Sequence, residues 1–228
     1  MTGGSQTEYV LNGSELMLLL GGQGVRSFVG FALNTEGISR QEALNTLWRM
    51  SRRGLVRAEG EGFALEAGLD AAVKHMAAAE RVVLVRSAIF DSGTICAYLC
   101  GDDCVTVQPS AYAKEQYSVA RLVGADWVEK LIAGGALPVH YEANEGEEQE
   151  ETCQIARAVA NVEVYSAKTQ RLEKRFGIFD HLTSYTIELE NGSQRRFSVE
   201  EFINQTRLEL EEENGNGGDK FPGFEAKL

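Results

Sequence analysis

The fold is decided by a stretch that reads strand, turn, strand: TICAYLCGDDCVTVQPS, residues 94–110. Its two arms are rich in β-branched and aromatic residues, and the Gly-Asp-Asp between them is a turn signal. The segment just before it, RVVLVRSAIF over 81–90, is a continuous apolar strand. Strands joined by turns this short pair antiparallel. The sequence therefore predicts an α+β fold built on an antiparallel sheet with flanking helices.

Three of the four cysteines lie in this stretch, at Cys96, Cys100 and Cys104, and the fourth is Cys153. Structural zinc sites favour closely paired cysteines or histidines nearby, and this spacing offers neither. We therefore interpret the three as small hydrophobic residues of a hairpin. No metal or cofactor is predicted.

A winged-helix-like start is predicted upstream, over residues 11–80. A short helix opens at Ser14, the apolar VRSFVGFAL of 25–33 follows as a second helix, and Ser39 with Glu42 forms a capping box for a third. VRAEGEGFAL then reads as a tight hairpin before an Ala-rich helix. The third helix is predicted to bury one stripe and to expose Arg49 and Arg53. That stripe is Ala43, Leu44, Leu47 and Met50.

The second half is predicted to be a strand meander between helices. VARLVGADWVEKLIAGG, residues 119–135, reads as one amphipathic helix. An antiparallel meander follows over 156–198, with Asn191-Gly192 as its strongest hairpin signal. Ser198 with Glu201 is a second capping box, which opens a helix over 199–213.

Charge divides the chain unevenly. Residues 142–228 carry 10 basic and 19 acidic side chains, so most of the net charge of -12 lies there. We predict four regions: an N-terminal α+β half (1–141), an acidic linker (142–152), a meander plus helix (153–213) and a disordered tail (214–228).

The sequence offers no residue set for catalysis. His75, His140 and His181 are scattered, and no phosphate-loop or nucleophile-elbow motif is complete. The N-terminus shows no signal peptide, and no apolar stretch approaches the ~20 residues of a membrane span. We therefore expect a cytoplasmic protein that is not an enzyme and does not bind a membrane.

Two binding functions remain open. In a DNA-binding winged helix, the recognition face would be Arg40, Asn45, Arg49, Arg52 and Arg53. The acidic wing residues Glu59 and Glu61 and the net charge make nucleic acid the weaker alternative.

A protein partner is the favoured alternative. The adjacent pairs Val164–Tyr165 and Ile178–Phe179 place apolar side chains on both faces of a strand, so both faces need a cover. That cover is either a partner or the helix over 199–212. The predicted partner-binding residues are Tyr165, Phe176, Phe179 and Tyr185.

The stretch from residue 11 to about 132 resembles the EspG family of type VII (ESX) secretion. The resemblance rests on ELMLLL, EALNTLWRMSRRGLV, EGFAL and AAVKHMAAAERVVLVRS, and ADWVEKLIAGG and FSVEEFINQTRLELEE suit a second half. It implies two related halves around a central antiparallel sheet. It further implies a cytosolic chaperone that binds a small helical secretion substrate through the sheet face and the terminal helices.

Overall fold

The computed structural model describes residues 7–25, 29–30, 38–60, 62–88, 93–110, 113, 115–139, 156–181 and 184–207. Eleven strands lie in these ranges. The first six are β1 (Glu8–Asn12), β2 (Val56–Glu59), β3 (Gly62–Leu65), β4 (Arg81–Ser87), β5 (Thr94–Cys100) and β6 (Asp103–Pro109). The other five are β7 (Gln116–Val123), β8 (Arg157–Ser166), β9 (Leu172–Asp180), β10 (Tyr185–Leu189) and β11 (Gln194–Arg196).

Nine of these strands form one sheet in the order β1-β7-β6-β5-β4-β8-β9-β10-β11, and β2 and β3 form a separate hairpin. Every pair is antiparallel, as the sequence predicted. The sheet contains two four-stranded meanders, β4–β7 and β8–β11. They join where β4 pairs with β8, with Val83 opposite Val164. Strands of the predicted N-terminal half and of the later meander therefore share one sheet.

Five helices accompany the sheet within the described residues: α1 (Gly13–Gly22), α2 (Arg40–Arg52), α3 (Ala67–Ala78), α4 (Asp126–Ala133) and α5 (Val199–Thr206). The predicted capping box of α2 is present, because Ser39 and Glu42 exchange hydrogen bonds. That bonding lowers the pKa of Glu42. Within the described ranges, no helix has the length and apolar character needed to cross a membrane.

The two faces of the sheet are covered differently. On one, which we call the shared face, α4 and α5 pack on strands of both meanders, and Phe202 is fully buried there. Its ring contacts those of Trp127, Phe176 and Phe197 at centroid distances of 5.6, 5.8 and 6.2 Å. On the opposite face, α1 and α3 and the end of α2 pack on β1 and β4–β7.

Two local predictions are wrong. Helix α1 begins after Asn12, not Ser14, because the Asn12 side chain accepts from the Glu15 backbone N–H at 2.9 Å while the Glu15 carboxylate accepts from the Asn12 N–H. Residues 119–123 belong to β7 and not to a helix. Their side chains alternate between the two faces up to the turn at Gly124, which has a positive φ of 60°.

The predicted buried stripe of α2 is also wrong in part. Leu44 is 48% exposed and Leu47 is only partly buried, whereas Thr46 and Met50 are 1% and 0% exposed. The inward side of α2 therefore runs through positions 43, 46, 47 and 50, of which only Thr46 and Met50 are fully buried. Its C-terminal end is fixed by an ion pair between Arg53 and the buried Glu15 of α1. Arg49 and Arg53 are exposed, as predicted.

The winged-helix start is not confirmed. The helix with the capping box and the hairpin of β2 and β3 are present. The second predicted helix, over 25–33, falls largely outside the described residues, as do the acidic linker and the tail. Strand β1, which the sequence analysis did not predict, ties this region into the main sheet by pairing with β7.

Candidate protein-interaction surface

The second meander presents a sheet surface on the opposite face that we call the open face. Strand pairing defines it, because directly paired residues point to the same side. Glu163 pairs with Leu84 of β4 and with Arg175 of β9, and Leu84 belongs to the opposite-face core. The open face is formed by Arg86, Asn161, Glu163, Tyr165, Arg175, Gly177, Phe179, Thr186, Glu188 and Arg196.

This surface has little helical cover. The buried cluster of the opposite face draws its members from α1–α3, β1, β2 and β4–β7, and in the described part of the chain it includes no residue of β9, β10 or β11. From the second meander and its turn, only Tyr165 and Ala167 pack against that cluster. The first meander is therefore closed by helices on the opposite face, whereas no described helix packs on the second meander there.

A charged network forms the centre of the open face. Glu163 is only 5% exposed. Its carboxylate accepts from Arg175 Nη2 at 2.8 Å and lies 3.4 Å from Arg86 Nη2. The Tyr165 hydroxyl donates to the same carboxylate at 3.1 Å, and burial together with this bond raises the pKa of Tyr165. Three side chains from three strands thus hold one carboxylate in a fixed position.

Both arginines of this network remain accessible. The side chains of Arg86 and Arg175 are 52% and 48% exposed, although each contacts Glu163. Arg86 also donates through Nε to the Thr94 hydroxyl at 3.3 Å. Two guanidinium groups with ten N–H donors between them face one carboxylate. The centre of the open face therefore has excess positive charge on a chain whose net charge is -12.

An aromatic region lies beside this network. The ring of Phe179 folds back over Gly177, where an added Cβ would stand 2.6 Å from the ring. A side chain at position 177 would therefore displace Phe179. The Nε2 of His181 lies 2.8 Å from the hydroxyl of Thr186, the residue that pairs with Phe179 on the neighbouring strand. Phe179, His181 and Thr186 are all partly buried, which leaves part of each accessible.

The structure divides the four predicted partner-binding residues between the two faces. Tyr165 and Phe179 lie on the open face. Tyr185 packs on the shared face, and Phe176 is only 2% exposed there. Helix α5 supplies the cover for that face, since Phe202 packs against Phe176. Phe176 and Tyr185 are therefore part of the fold's own packing, and the candidate surface keeps Tyr165 and Phe179.

The predicted DNA-contacting residues have other roles on α2. Arg53 binds the buried Glu15 carboxylate at 2.9 Å and donates to the Val10 carbonyl at the outer strand β1. The Arg52 guanidinium lies 4.9 Å from the centre of the Trp48 ring.

Arg49 donates to Thr46 at 3.2 Å, and Asn45 accepts from Gln41 at 3.2 Å. Arg40 is exposed at the first turn. Four of the five residues therefore lie along α2 and the fifth, Arg53, caps it.

Among the described residues, no group of three or more His, Cys, Asp or Glu side chains could hold a metal ion. Cys96 and Cys104 are buried in the hairpin of β5 and β6, and burial raises the pKa of both thiols. Burial lowers the pKa of His75, whose ring contacts the Tyr98 carbonyl at 3.2 Å. Cys153 and His140 lie outside the described residues.

Sequence reasoning missed the charged centre of the open face. Arg86, Glu163 and Arg175 lie on three different strands, and each alone is an ordinary strand residue. Their association depends on the register of β4, β8 and β9, which hydrophobic pattern alone does not give. The one available signal was Glu163 itself, a charged residue between Val162 and Val164.

Comparison of the sequence with models of known protein families and with curated proteins finds no match.

Proposed function

We propose that the chain is a non-enzymatic protein-binding module of the cytoplasm that holds its partner on the open face. The observation that carries this proposal is the asymmetric cover of one sheet. The first meander is closed by α1–α3 on the opposite face, whereas the second meander exposes a surface with a rigid charged centre and partly buried aromatic rings.

The composition of the open face favours a protein partner. Arginine and aromatic residues dominate the binding energy of protein interfaces, and pre-ordered side chains lose little entropy on binding. Arg86 and Arg175 are held by Glu163, and Phe179 is held against Gly177. The four strands of the second meander, about 4.8 Å apart, also span the length of about three turns of a partner helix laid across them.

The partner class follows from the resemblance to EspG proteins together with this surface. We propose a small helical secretion substrate of the type VII system, for which this chain acts as a chaperone or adaptor. Its contact surface would bring acidic groups to Arg86 and Arg175 and apolar groups to Tyr165 and Phe179. Winged-helix DNA binding is the weaker proposal, because Arg53 is engaged within the fold.

The test first identifies the partner and then changes the open face by substitution. A tagged full-length chain is expressed in the cells that naturally produce it, and bound proteins are identified by mass spectrometry. Phe179→Asp and Arg175→Glu each place negative charge on the open face. Val123→Asp is the matched control, because Val123 is 60% exposed on β7, outside the open face. Circular dichroism and urea unfolding confirm that all three variants fold.

We expect a small helical protein with the wild type and the Val123→Asp control, and its loss with both open-face variants. Recovery of the same protein by folded Phe179→Asp and Arg175→Glu would overturn the proposal. Absence of any specific protein from the wild-type sample would overturn it too.

A further inference from the structure

We propose that α2 carries a second binding surface, separate from the open face, for an amphipathic helix with acidic flanks. Its centre is the row Leu44, Trp48 and Arg52, which we call the α2 ridge. These positions are four residues apart, so they lie in a row of about 12 Å along one side of the helix.

The ridge exposes residue types that a folded chain normally buries or uses in interfaces. Trp48 is 62% exposed and Leu44 is 48% exposed. Trp127, the other tryptophan of the chain, is 3% exposed in the core. Arg52 stacks on the Trp48 ring at 4.9 Å, an arrangement that orders both side chains before any partner arrives.

A groove runs beside the ridge and gives it the shape of a docking site. This open depression has a volume of about 450 Å³ and lies between Ser14 in the first turn of α1 and the side of α2. Its walls are Ser14, Glu42, Asn45, Thr46, Trp48 and Arg49. An apolar ridge beside a groove is the surface on which a partner helix places side chains spaced by three and four residues.

The charges around the α2 ridge determine which side chains a partner helix needs beside its apolar face. Arg40, Arg49 and Arg52 are exposed on α2, and Glu42 is held by the Ser39 cap. The basic groups at the C-terminal end of the ridge contrast with the acidic chain as a whole. Glutamate or aspartate beside the apolar face of a partner helix would pair with Arg49 and Arg52.

Other occupants fit this surface less well. A second copy of the chain would bring its own arginines against Arg40, Arg49 or Arg52 in either helix direction, which like-charge repulsion opposes. Duplex DNA would meet Leu44 and Trp48 at the centre of the contact, where base and phosphate readout need polar donors. An acidic amphipathic helix satisfies both the apolar row and the charges.

The experiment uses the full chain and two synthetic peptides. Both are amphipathic helices with leucines on one face; one carries glutamates beside the leucines, and the other carries lysines at those positions. Binding is measured by anisotropy of the labelled peptide, and acrylamide quenching of tryptophan fluorescence reports on Trp48. The variants are Leu44→Glu and Arg52→Glu, with Val123→Glu as the matched control on an exposed residue of β7.

We expect the acidic peptide to bind saturably and to protect Trp48 from quenching. The basic peptide, and both ridge variants, should bind about tenfold or more weakly, while the control variant binds as the wild type does. Equal binding of the two peptides, or no binding of the acidic one, would overturn the proposal. So would a Trp48 already shielded in the free chain, self-association through the ridge, or tighter binding of duplex DNA that depends on Arg49 and Arg52.

Discussion

The two meanders of the sheet share one face and differ on the other. On the shared face, α4 and α5 bury strands of both meanders around Phe202. On the opposite face, α1–α3 cover most of β4–β7, while Glu163 of β8 and Arg175 of β9 lie beside Arg86 at the end of β4, where no described helix packs. Helix α4 follows β7 and α5 follows β11, so each meander ends in a helix that packs on the shared face.

This difference separates stability from binding within one sheet. Apolar burial on the shared face holds the two meanders together and gives the fold its cohesion. On the opposite face, the strands of the second meander, on which no described helix packs, carry polar side chains that form cross-strand ion pairs. A sheet that is already stable on one face can use the other as a binding surface.

The largest expected effect comes from the core that the two meanders share. Phe202→Ala removes the ring that packs on Trp127, Phe176 and Phe197. We expect the free energy of unfolding to fall by about 3–5 kcal/mol, the range for a fully buried aromatic residue. Urea unfolding measures it, with Phe63→Ala as the control, since Phe63 is 54% exposed. Equal losses for the two variants would show that the shared face is not the main core.

A second effect tests the cover of the first meander. Arg53→Ala leaves the Glu15 carboxylate, 1% exposed, without its ion-pair partner. Breaking a buried pair costs about 3–5 kcal/mol, and we expect about 2–3 kcal/mol here because the Arg53 side chain is 43% exposed. Urea unfolding compares it with Arg40→Ala, which should change stability by less than about 0.5 kcal/mol. If Arg53→Ala is as stable as the wild type, the ion pair with Glu15 contributes little to the fold, and Arg53 is available to bind a partner.

The sequence predicted those elements whose signals are local. The hairpins of β2–β3, β5–β6 and β10–β11 were marked by glycine turns, and the start of α2 by its capping box. Strand β1 was missed because its partner, β7, lies more than a hundred residues away. Residues 119–123 were joined to α4 because an apolar strand next to an amphipathic helix resembles a longer helix.

Side-chain direction was harder to predict than element type. Leu44 was expected inside because apolar spacing alone cannot show that Arg53 and Glu15 set the rotation of α2. The open face needed the register of three strands before Arg86, Glu163 and Arg175 could be placed together. Of the four predicted partner-binding residues, Tyr165 and Phe179 lie on the open face and the other two on the shared face, because side chains alternate between the two faces along a strand.

A smaller effect concerns how β1 is held to α3 in the first half. The Tyr9 hydroxyl donates to the Glu66 carboxylate at the start of α3. Burial, with Glu66 nearby, raises the pKa of Tyr9 from 10.0 to about 12, and the hydrogen bond lowers the pKa of Glu66. The unfolded chain therefore loses the Tyr9 proton first, so this contribution to stability is present below pH 10 and disappears as the pH rises toward about 12.

Tyr9→Phe checks this pH dependence. We expect the free energy of unfolding to fall by about 1 kcal/mol at neutral pH, the usual value for one hydrogen bond. The variant should also lose less stability than the wild type above pH 10. At acid pH the dependence on pH has the opposite sign. The pKa of Glu66 is lower in the folded chain than in the unfolded chain, so its carboxylate stabilises the fold at a pH above the unfolded pKa, and this contribution is lost as the pH falls. Identical alkaline profiles for the two chains would contradict the assignment.

The smallest stability effect is expected on the α2 ridge. Leu44→Ala should change the free energy of unfolding by less than about 0.5 kcal/mol, because Leu44 is 48% exposed. Met50→Ala on the same helix should cost about 2–5 kcal/mol, because Met50 is fully buried. Parallel urea titrations distinguish the two faces of α2. A larger loss for Leu44→Ala than for Met50→Ala would reverse the orientation of the helix.

The most direct test of the open face is site-specific photo-crosslinking on two neighbouring positions of the second meander. A benzophenone amino acid replaces Phe179 on the open face in one chain and Tyr185 on the shared face in another, and each is irradiated in extracts of the producing cells. Phe179 pairs with Thr186, the chain neighbour of Tyr185, so the two positions lie close together but on opposite faces of the sheet. We predict a discrete crosslinked protein from position 179 and none from position 185. Capture from 185 alone, or from neither, would contradict the central claim that the second meander binds a partner on its open face.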